Sequence, residues 1–426
     1  MNTLQIIFGF IKKYLKSLIG ALILAITLPI VLGQLRKLWV GPDSYIIYVV
    51  SDFPQKRTTS HEIFDGFKNT IENKQLEING KKIEIVDKND KGDPDRAKEI
   101  SVELAKDNKT LMVVGHFYST QTKAALPAYL EQDPPIPVIM TTETNPELIP
   151  SKFADSYCPI LLLSPNDDDQ AQTAAEFAIF KDEASVFWVI EDVSNRVYSS
   201  YLSIKFIEHL QEKKGKKVVL YSNNRSIPSA LTLQTLGINC VFFAGEWSNA
   251  LILIRQVKAI FPDKTLMIIL SDGSVNDQLI KHGQEDVEGV YLTFPMNAEK
   301  YLDYGYCLYG KDAAIIISDV IQSANKSFTE KMKEKNKPVY FLKNLLNIHR
   351  VTDARWVINS IMQDYARDKK EFKGDLEDEP FFFDAKGAKG FISKPGTTEK
   401  VKFHVWQIQR DNKDSLKFVE IPLKKL

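Results

Sequence analysis

Cysteine is nearly missing from this chain of 426 residues, which has three: Cys158, Cys240 and Cys307. They form neither a Cys-x-x-Cys pair nor a Cys/His cluster, so no metal site is spelled out. Cys158 and Cys240 each sit in an apolar run, where a buried thiol is expected. The six histidines (His61, His116, His209, His282, His349 and His404) show no His-x-x-x-His spacing. Also absent are the Gly-x-Ser-x-Gly of a nucleophile elbow, the Gly-x-x-x-x-Gly-Lys-Ser/Thr of a phosphate loop and the Gly-x-Gly-x-x-Gly of a dinucleotide fold. No cofactor is therefore expected, and the expectation is a binding protein and not an enzyme. An excess of one charge is lacking too, with 55 basic and 55 acidic residues. A neutral chain has no whole-protein attraction to nucleic acid or anionic lipid.

What is present begins with a long apolar run. Residues 17–35, SLIGALILAITLPIVLGQL, carry no charge. As a helix they span roughly 28 Å, enough for a bilayer core. Lys12, Lys13 and Lys16 precede the run and Arg36-Lys37 follow it. The rival reading, a cleaved signal peptide, needs a shorter apolar region and a small-x-small site just after it. Val31-Leu32-Gly33 matches that poorly, so an uncleaved signal anchor is favoured. The early lysines put the N-terminus in the cytoplasm and export the bulk of the chain. Residues 1–43 are thus a cytoplasmic stub, a transmembrane anchor and a linker.

From Tyr45 onward strand and helix patterns alternate. Strands are expected at 45–50, 82–86, 111–114 and 138–140, with helices at 61–73, 94–106 and 122–129 between them. A second series comes next: helices at 167–180, 198–213 and 248–260, and strands at 186–190, 218–221, 241–243, 266–270 and 289–293. This is α/β, two doubly wound parallel-sheet lobes with a cleft between them. A long helix is expected at 304–324 and a closing pair of strands at 401–409 and 416–419. The Lys-rich region 330–378 reads as a solvated surface insertion, helical through 356–365.

The candidate site lies where strands end. Gly115-His116-Phe117-Tyr118-Ser119-Thr120 follows one buried strand, and Thr141-Thr142-Glu143-Thr144 follows the next. Open α/β sheets bind ligands beyond the carboxyl ends of their strands. Hydroxyls and free N–H groups at a helix N-terminus suit a carboxylate, although the same residues also serve as plain helix caps. Ser271-Asp272-Gly273 follows the apolar run 266–270, so Asp272 either faces the cleft or caps a helix over 274–281. His116 follows a strand as well, where a structural hydrogen-bonding role is the commoner one. Lys56 and Arg57, in the first loop, either lie at the cleft mouth, which would suit an acidic or anionic ligand, or point outward, which is the reading preferred.

Gly115-His-x-x-Ser119 followed by Thr144-Asn-Pro-Glu-Leu148 resembles the leucine/isoleucine/valine-type periplasmic binding proteins of ABC transporters. The resemblance covers roughly residues 44–426. It implies a periplasmic-binding-protein-like class I fold whose chain crosses between lobes three times, giving lobe one as 44–158 plus 296–378 and lobe two as 159–295 plus 379–426. Pro380-Phe-Phe-Phe-Asp384 and Gly387–Gly390 resemble the family's closing turn.

Carried onto this sequence, the resemblance makes Ser119 and Thr144 hydroxyls for a ligand carboxylate, and Thr120 joins them as a candidate from its place just beyond the strand end. The resemblance places the Thr142 backbone against the ligand and makes Asp272 the partner of its ammonium. It further suggests Tyr198 as a pocket aromatic, with Ser199 where the family has glycine. Glu246-Trp247 stand where the family usually has an aromatic residue. The implied protein is a membrane-anchored solute-binding protein that captures an amino acid or related zwitterion for an ABC permease. The alternatives are a ligand-sensing receptor ectodomain of the same fold and, ranked third, an enzyme built on it.

Overall fold

The computed structural model describes residues 27, 42–55, 58–150, 159–182, 185–213, 218–262, 266–335, 351–368 and 403–422. The expected anchor at 17–35, apart from Thr27, lies outside these residues. So do Lys56, Arg57, Cys158 and the closing turn at 380–390. Among the described residues no helix is long and apolar enough to cross a membrane.

β1 (Ser44–Ser51) is the sequence SYIIYVVS, and every residue in it is buried. A run apolar on both faces belongs in the middle of a parallel sheet. α1 (Thr59–Ile71) buries Ile63, Phe67 and Ile71, spaced four apart on one face. β2 (Glu77–Ile78) and β3 (Lys81–Asn89) lead to α2 (Pro94–Lys106). α2 opens with Asp93 accepting the Arg96 N–H and proline in the first turn. Next come β4 (Thr110–Gly115), α3 (Ser119–Leu130), β5 (Val138–Met140) and β6 (Ile160–Leu162). These strands form one sheet, ordered β2-β3-β1-β4-β5-β6 and parallel except for β2. β6 was not expected. It pairs with β5, so the first sheet continues past the change of lobe anticipated at 158.

The second series runs α4 (Asp167–Asp182), β7 (Val186–Glu191), α5 (Arg196–Glu212), β8 (Val218–Asn223), α6 (Ala230–Leu236), β9 (Cys240–Ala244), α7 (Trp247–Ile260), β10 (Met267–Leu270), α8 (Asp277–Gly283) and β11 (Tyr291–Phe294). Three further helices come after it: α9 (Ala298–Tyr304), α10 (Cys307–Lys335) and α11 (Val351–Asp368). β12 (His404–Arg410) and β13 (Leu416–Ile421) close the chain as an antiparallel hairpin on β11. The second sheet is ordered β13-β12-β11-β10-β9-β7-β8. Trp406 of β12 seats it there, buried against Phe294, Tyr301 and Phe418 with ring centroids 4.9–5.5 Å apart.

α10 belongs with the first sheet through its crossing with α1. Gly66 and Gly310 meet at that crossing, where a Cβ on Gly310 would run into the Ile63 carbonyl and one on Gly66 into that of Cys307. α11 corrects the surface-insertion reading of 330–378. Its residues Val351, Ala354, Val357 and Ile358 are buried, and Arg355 donates from Nε to the Thr110 carbonyl at the start of β4 (2.7 Å). The apolar positions recur at helical spacing and so cover one face of the first sheet.

Both sheets reverse their winding in the middle. β1 has β3 on one side and β4 on the other, and β7 has β8 and β9. At such a switch point adjacent strand ends splay their loops apart and leave a crevice. The two crevices face each other.

Candidate functional site

A cavity of about 800 Å³ lies between the two sheets at the carboxyl ends of their strands. Asp52 (after β1), Phe117–Ser119 (after β4), Thr142 and Thr144 (after β5) line it from the first lobe. Asn195 and Tyr198 (at the start of α5), Glu246-Trp247 (after β9) and Asp272-Gly273 (after β10) line it from the second. Tyr306 and Tyr309 close one side.

The first-lobe wall sets hydroxyls and a helix N-terminus beside the Asp52 carboxyl. Gly115 ends β4 at φ +109°, and a Cβ there would strike the Val50 carbonyl of β1, so the strand ends close ranks only around glycine. Phe117 comes next in the left-handed region (φ +69°) and turns the chain into α3, whose first residue is Ser119. Ser119 is 2% exposed, and its hydroxyl makes no hydrogen bond to the described residues. Thr142 donates from Oγ1 to the Phe117 carbonyl (2.8 Å), tying the two loops together. Glu143 is buried behind them. It accepts from Thr122 Oγ1 (2.8 Å) and the Thr142 N–H (3.1 Å), and burial pushes its carboxyl above the usual range.

The opposite wall is acidic. Tyr198 donates from its hydroxyl to Asp272 Oδ1 (2.5 Å). Burial raises the Asp272 carboxyl, while the bonds from Tyr198 and Gln170 oppose the rise. Behind it sits Asp167, the first residue of α4, whose N–H donates to the Thr144 carbonyl (3.0 Å). Asp167 is fully buried, and neither carboxyl oxygen has a donor in bonding geometry, although the Thr144 hydroxyl is beside it. Burial, then the neighbouring Asp272, drives its carboxyl well up. A buried carboxyl beside another favours its neutral form unless a cation comes close to it. Glu246 is pushed up to about 8 by burial, then by Asp192 and Asp272, with Asn195 opposing.

Of the seven expected site residues, Ser119, Thr142, Thr144, Tyr198, Glu246 and Asp272 line this one cavity. Thr120 does not. One residue further into α3, its hydroxyl donates to Asn195 Oδ1 (3.0 Å) and accepts the Val197 N–H (3.1 Å), linking first lobe to second. Asn145 makes a second such link, from Nδ2 to the Val197 carbonyl (2.7 Å).

The serine at 199 has a use of its own: it donates to the Ala244 carbonyl and accepts the Asp192 N–H (2.6 Å), pinning α5 to β9. His116 lies behind the site and not in it, held between Asp90 Oδ2 (2.8 Å) and the Tyr129 hydroxyl (3.1 Å). Asp167 and Asp52 escaped the reading of the sequence. Asp167 is the first of three aspartates opening a helix, which reads as a favourable interaction with the helix dipole. Asp52 comes after a strand with no pattern around it.

Comparison with known proteins agrees with this architecture. A family model described as "Periplasmic binding protein" matches residues 59–306, more than half of the chain. An amino acid binding protein of Pseudomonas aeruginosa is 29% identical over 224 residues, 51% of this chain and 57% of that protein. The chain thus spans under two thirds of that relative's length. The crystal structure of a leucine binding protein from Thermotoga maritima superposes with a TM-score of 0.64 at 19% identity, over 90% of this chain and 100% of that one. A branched-chain amino acid transporter substrate binding protein from Streptococcus pneumoniae, in complex with isoleucine, gives 0.58 at 15% identity, over 89% and 100%. A solute binding protein of Rhodopseudomonas palustris, in complex with 3,4-dihydroxy benzoic acid, also gives 0.58, at 12% identity over 89% and 97%. At such identities the solved structures speak for the fold alone, and the fold accommodates ligands with and without an ammonium group. By its match over residues 59–306 and its two parallel-sheet lobes, the chain belongs to the periplasmic binding protein family.

Proposed function

We propose that this protein captures an amino acid or a related zwitterion between its lobes and hands it to an ABC permease, tethered to the membrane by residues 17–35 with the bulk of the chain outside the cytoplasm. The observation that carries the reading is the polarity of the cavity. The unpartnered Ser119 hydroxyl and the N-terminus of α3 stand on one wall. Asp272, backed by Asp167, stands on the other. A carboxylate is favoured by a helix N-terminus and hydroxyl donors, and an ammonium by buried carboxyls.

In this reading Ser119 and Thr144 hold the ligand carboxylate, Thr142 brings backbone to it, and Asp272, backed by Asp167, holds the ammonium. Tyr198 orients Asp272. The lobes comprise a first unit from 44 to the end of β6 with α10 and α11, and a second formed by the remaining strands. A zwitterion joins a group on one lobe to a group on the other, so hinge closure becomes ligand-dependent. Thr120 and Asn145 lie at the seam between the lobes.

Calorimetric titration of the full-length protein in detergent with amino acids, amides and small carboxylates tests this. At least one amino acid should bind, and Ser119→Ala should weaken it about tenfold, the order of a hydrogen bond to a charged group. Failure of the whole panel to bind overturns the reading. Membrane fractionation of the chain with and without residues 1–43 tests the tether separately.

A further inference from the structure

The cavity has more carboxyls than one ammonium group can use. A simple zwitterion needs negative charge from the protein at one place, which Asp272, with Asp167 behind it, supplies. Asp52 and Glu246 line the same cavity elsewhere, one from each lobe, after β1 and after β9. Asp52 accepts from the Ser51 and Ser60 hydroxyls and Glu246 lies near the Asn195 amide, all neutral donors. Glu246 feels the charge of Asp52, and the hydroxyl of Tyr118, which lines the same cavity, feels both carboxyls. Glu62, Asp277 and Asp303 stand farther along the same lining. Among the described lining residues there is no lysine and no arginine, and His282 is the only base.

Resting on the zwitterion reading of this cavity, we propose that its ligand carries a second cationic group, held between Asp52 and Glu246: a basic amino acid of the lysine, ornithine or arginine kind. An aliphatic side chain there would leave the two buried carboxyls either to repel one another or to take up protons. A cation between them forms charge-assisted bonds to both lobes and replaces repulsion across the cleft with attraction. Closure then selects for the side-chain charge as well as for the zwitterion. The volume of about 800 Å³ leaves room for a side chain longer than leucine's.

The test is calorimetry of the full-length protein with lysine, ornithine, arginine, norleucine, leucine, glutamate and a diamine lacking the carboxylate. Norleucine is the informative control, because it has lysine's aliphatic chain without the terminal ammonium. The basic amino acids should bind at least tenfold tighter than norleucine, and the diamine more weakly than lysine. Glu246→Gln and, separately, Asp52→Asn should shrink the lysine-to-norleucine ratio severalfold. The ratio is read on folded protein, so a loss of yield does not imitate the result. Norleucine, leucine or glutamate binding as tightly as lysine overturns the inference and leaves the zwitterion reading standing. A diamine binding as tightly as lysine removes the role given to Ser119 and overturns both. Failure of every amino acid defeats the zwitterion reading itself, and the inference with it.

Discussion

The two walls of the cavity are made by the same device and differ in chemistry. On each lobe a buried parallel strand ends and a short loop turns into a helix at a switch point of the sheet. On the first lobe the β4 and β5 loops carry Ser119, Thr142 and Thr144, with the positive end of α3 beneath them. On the second lobe the β9 and β10 loops carry Glu246 and Asp272. Fold therefore sets where the cavity lies, and the few residues after each strand set its charge. The same architecture holds isoleucine in one solved relative and an aromatic acid in another.

The contrast can be broken hardest at the acidic wall. Asp272→Ala removes a buried carboxyl and strands the Tyr198 hydroxyl, which donates to it. Affinity for the amino-acid ligand should fall about a hundredfold or more, the upper range for a charged hydrogen bond plus an orphaned partner. Titration measures it, and a fall of less than fivefold would mean that the ammonium is held elsewhere. Asp272→Asn, which keeps the shape and the acceptor, should lose nearly as much, because charge does the holding.

A smaller effect sharpens the comparison through pH. The Glu246 carboxyl is pushed up to about 8 by burial, then by Asp192, Asp272 and Asp52, with Asn195 opposing. A cation favours its charged form, so binding below that pH releases a proton. Lysine affinity should climb as pH rises from 6 to 8, by at most about tenfold per unit for one proton, and then level off. Glu246→Gln should flatten most of that slope. Burial also raises Asp272 and Asp167, and any slope surviving in the variant belongs to them. Calorimetry in buffers of different ionisation enthalpy counts the protons released, and a flat wild-type profile would remove Glu246 from the ligand's surroundings.

The smallest effect separates the site from its support. Tyr129→Phe takes the partner from His116 Nε2 behind the first-lobe loops. Leaving one buried polar atom unpaired costs about 1–3 kcal/mol of stability. Denaturant unfolding should register that loss, while ligand affinity changes by less than threefold because neither residue lines the cavity.

Periodicity made the alternating strands and helices legible. β1 is an unbroken apolar run, and α1 repeats its buried residues every fourth position. The short pieces were not: β6 has three residues and α6 one apolar contact face of two turns, too little for a period to emerge. α11 was misjudged for another reason. Its flanks are Lys-rich, and charge density around it suggested a solvated segment, yet its apolar stripe covers the first sheet.

Among the site residues, six of those expected share one cavity because their loops lie after adjacent strand ends, a relation that strand order preserves from sequence to space. Thr120 lies at the lobe seam since a helix turns by about 100° per residue, sending consecutive hydroxyls to different places. Asp52 and Asp167 had no local signal at all.

The sequence alone determined the α/β alternation, the strand ends at which a ligand could lie and the residue types there, since these rest on local periodicity and on the few residues just after each apolar run. Only the tertiary structure decided which carboxyls gather in and behind one cavity. Asp167 becomes significant because Asp272 stands beside it from more than a hundred residues away, and Asp52 because Glu246 faces the same space from the other lobe. Charges act through distance in space and not through separation along the chain, so the acidity of the cavity could emerge only when the two sheets faced each other.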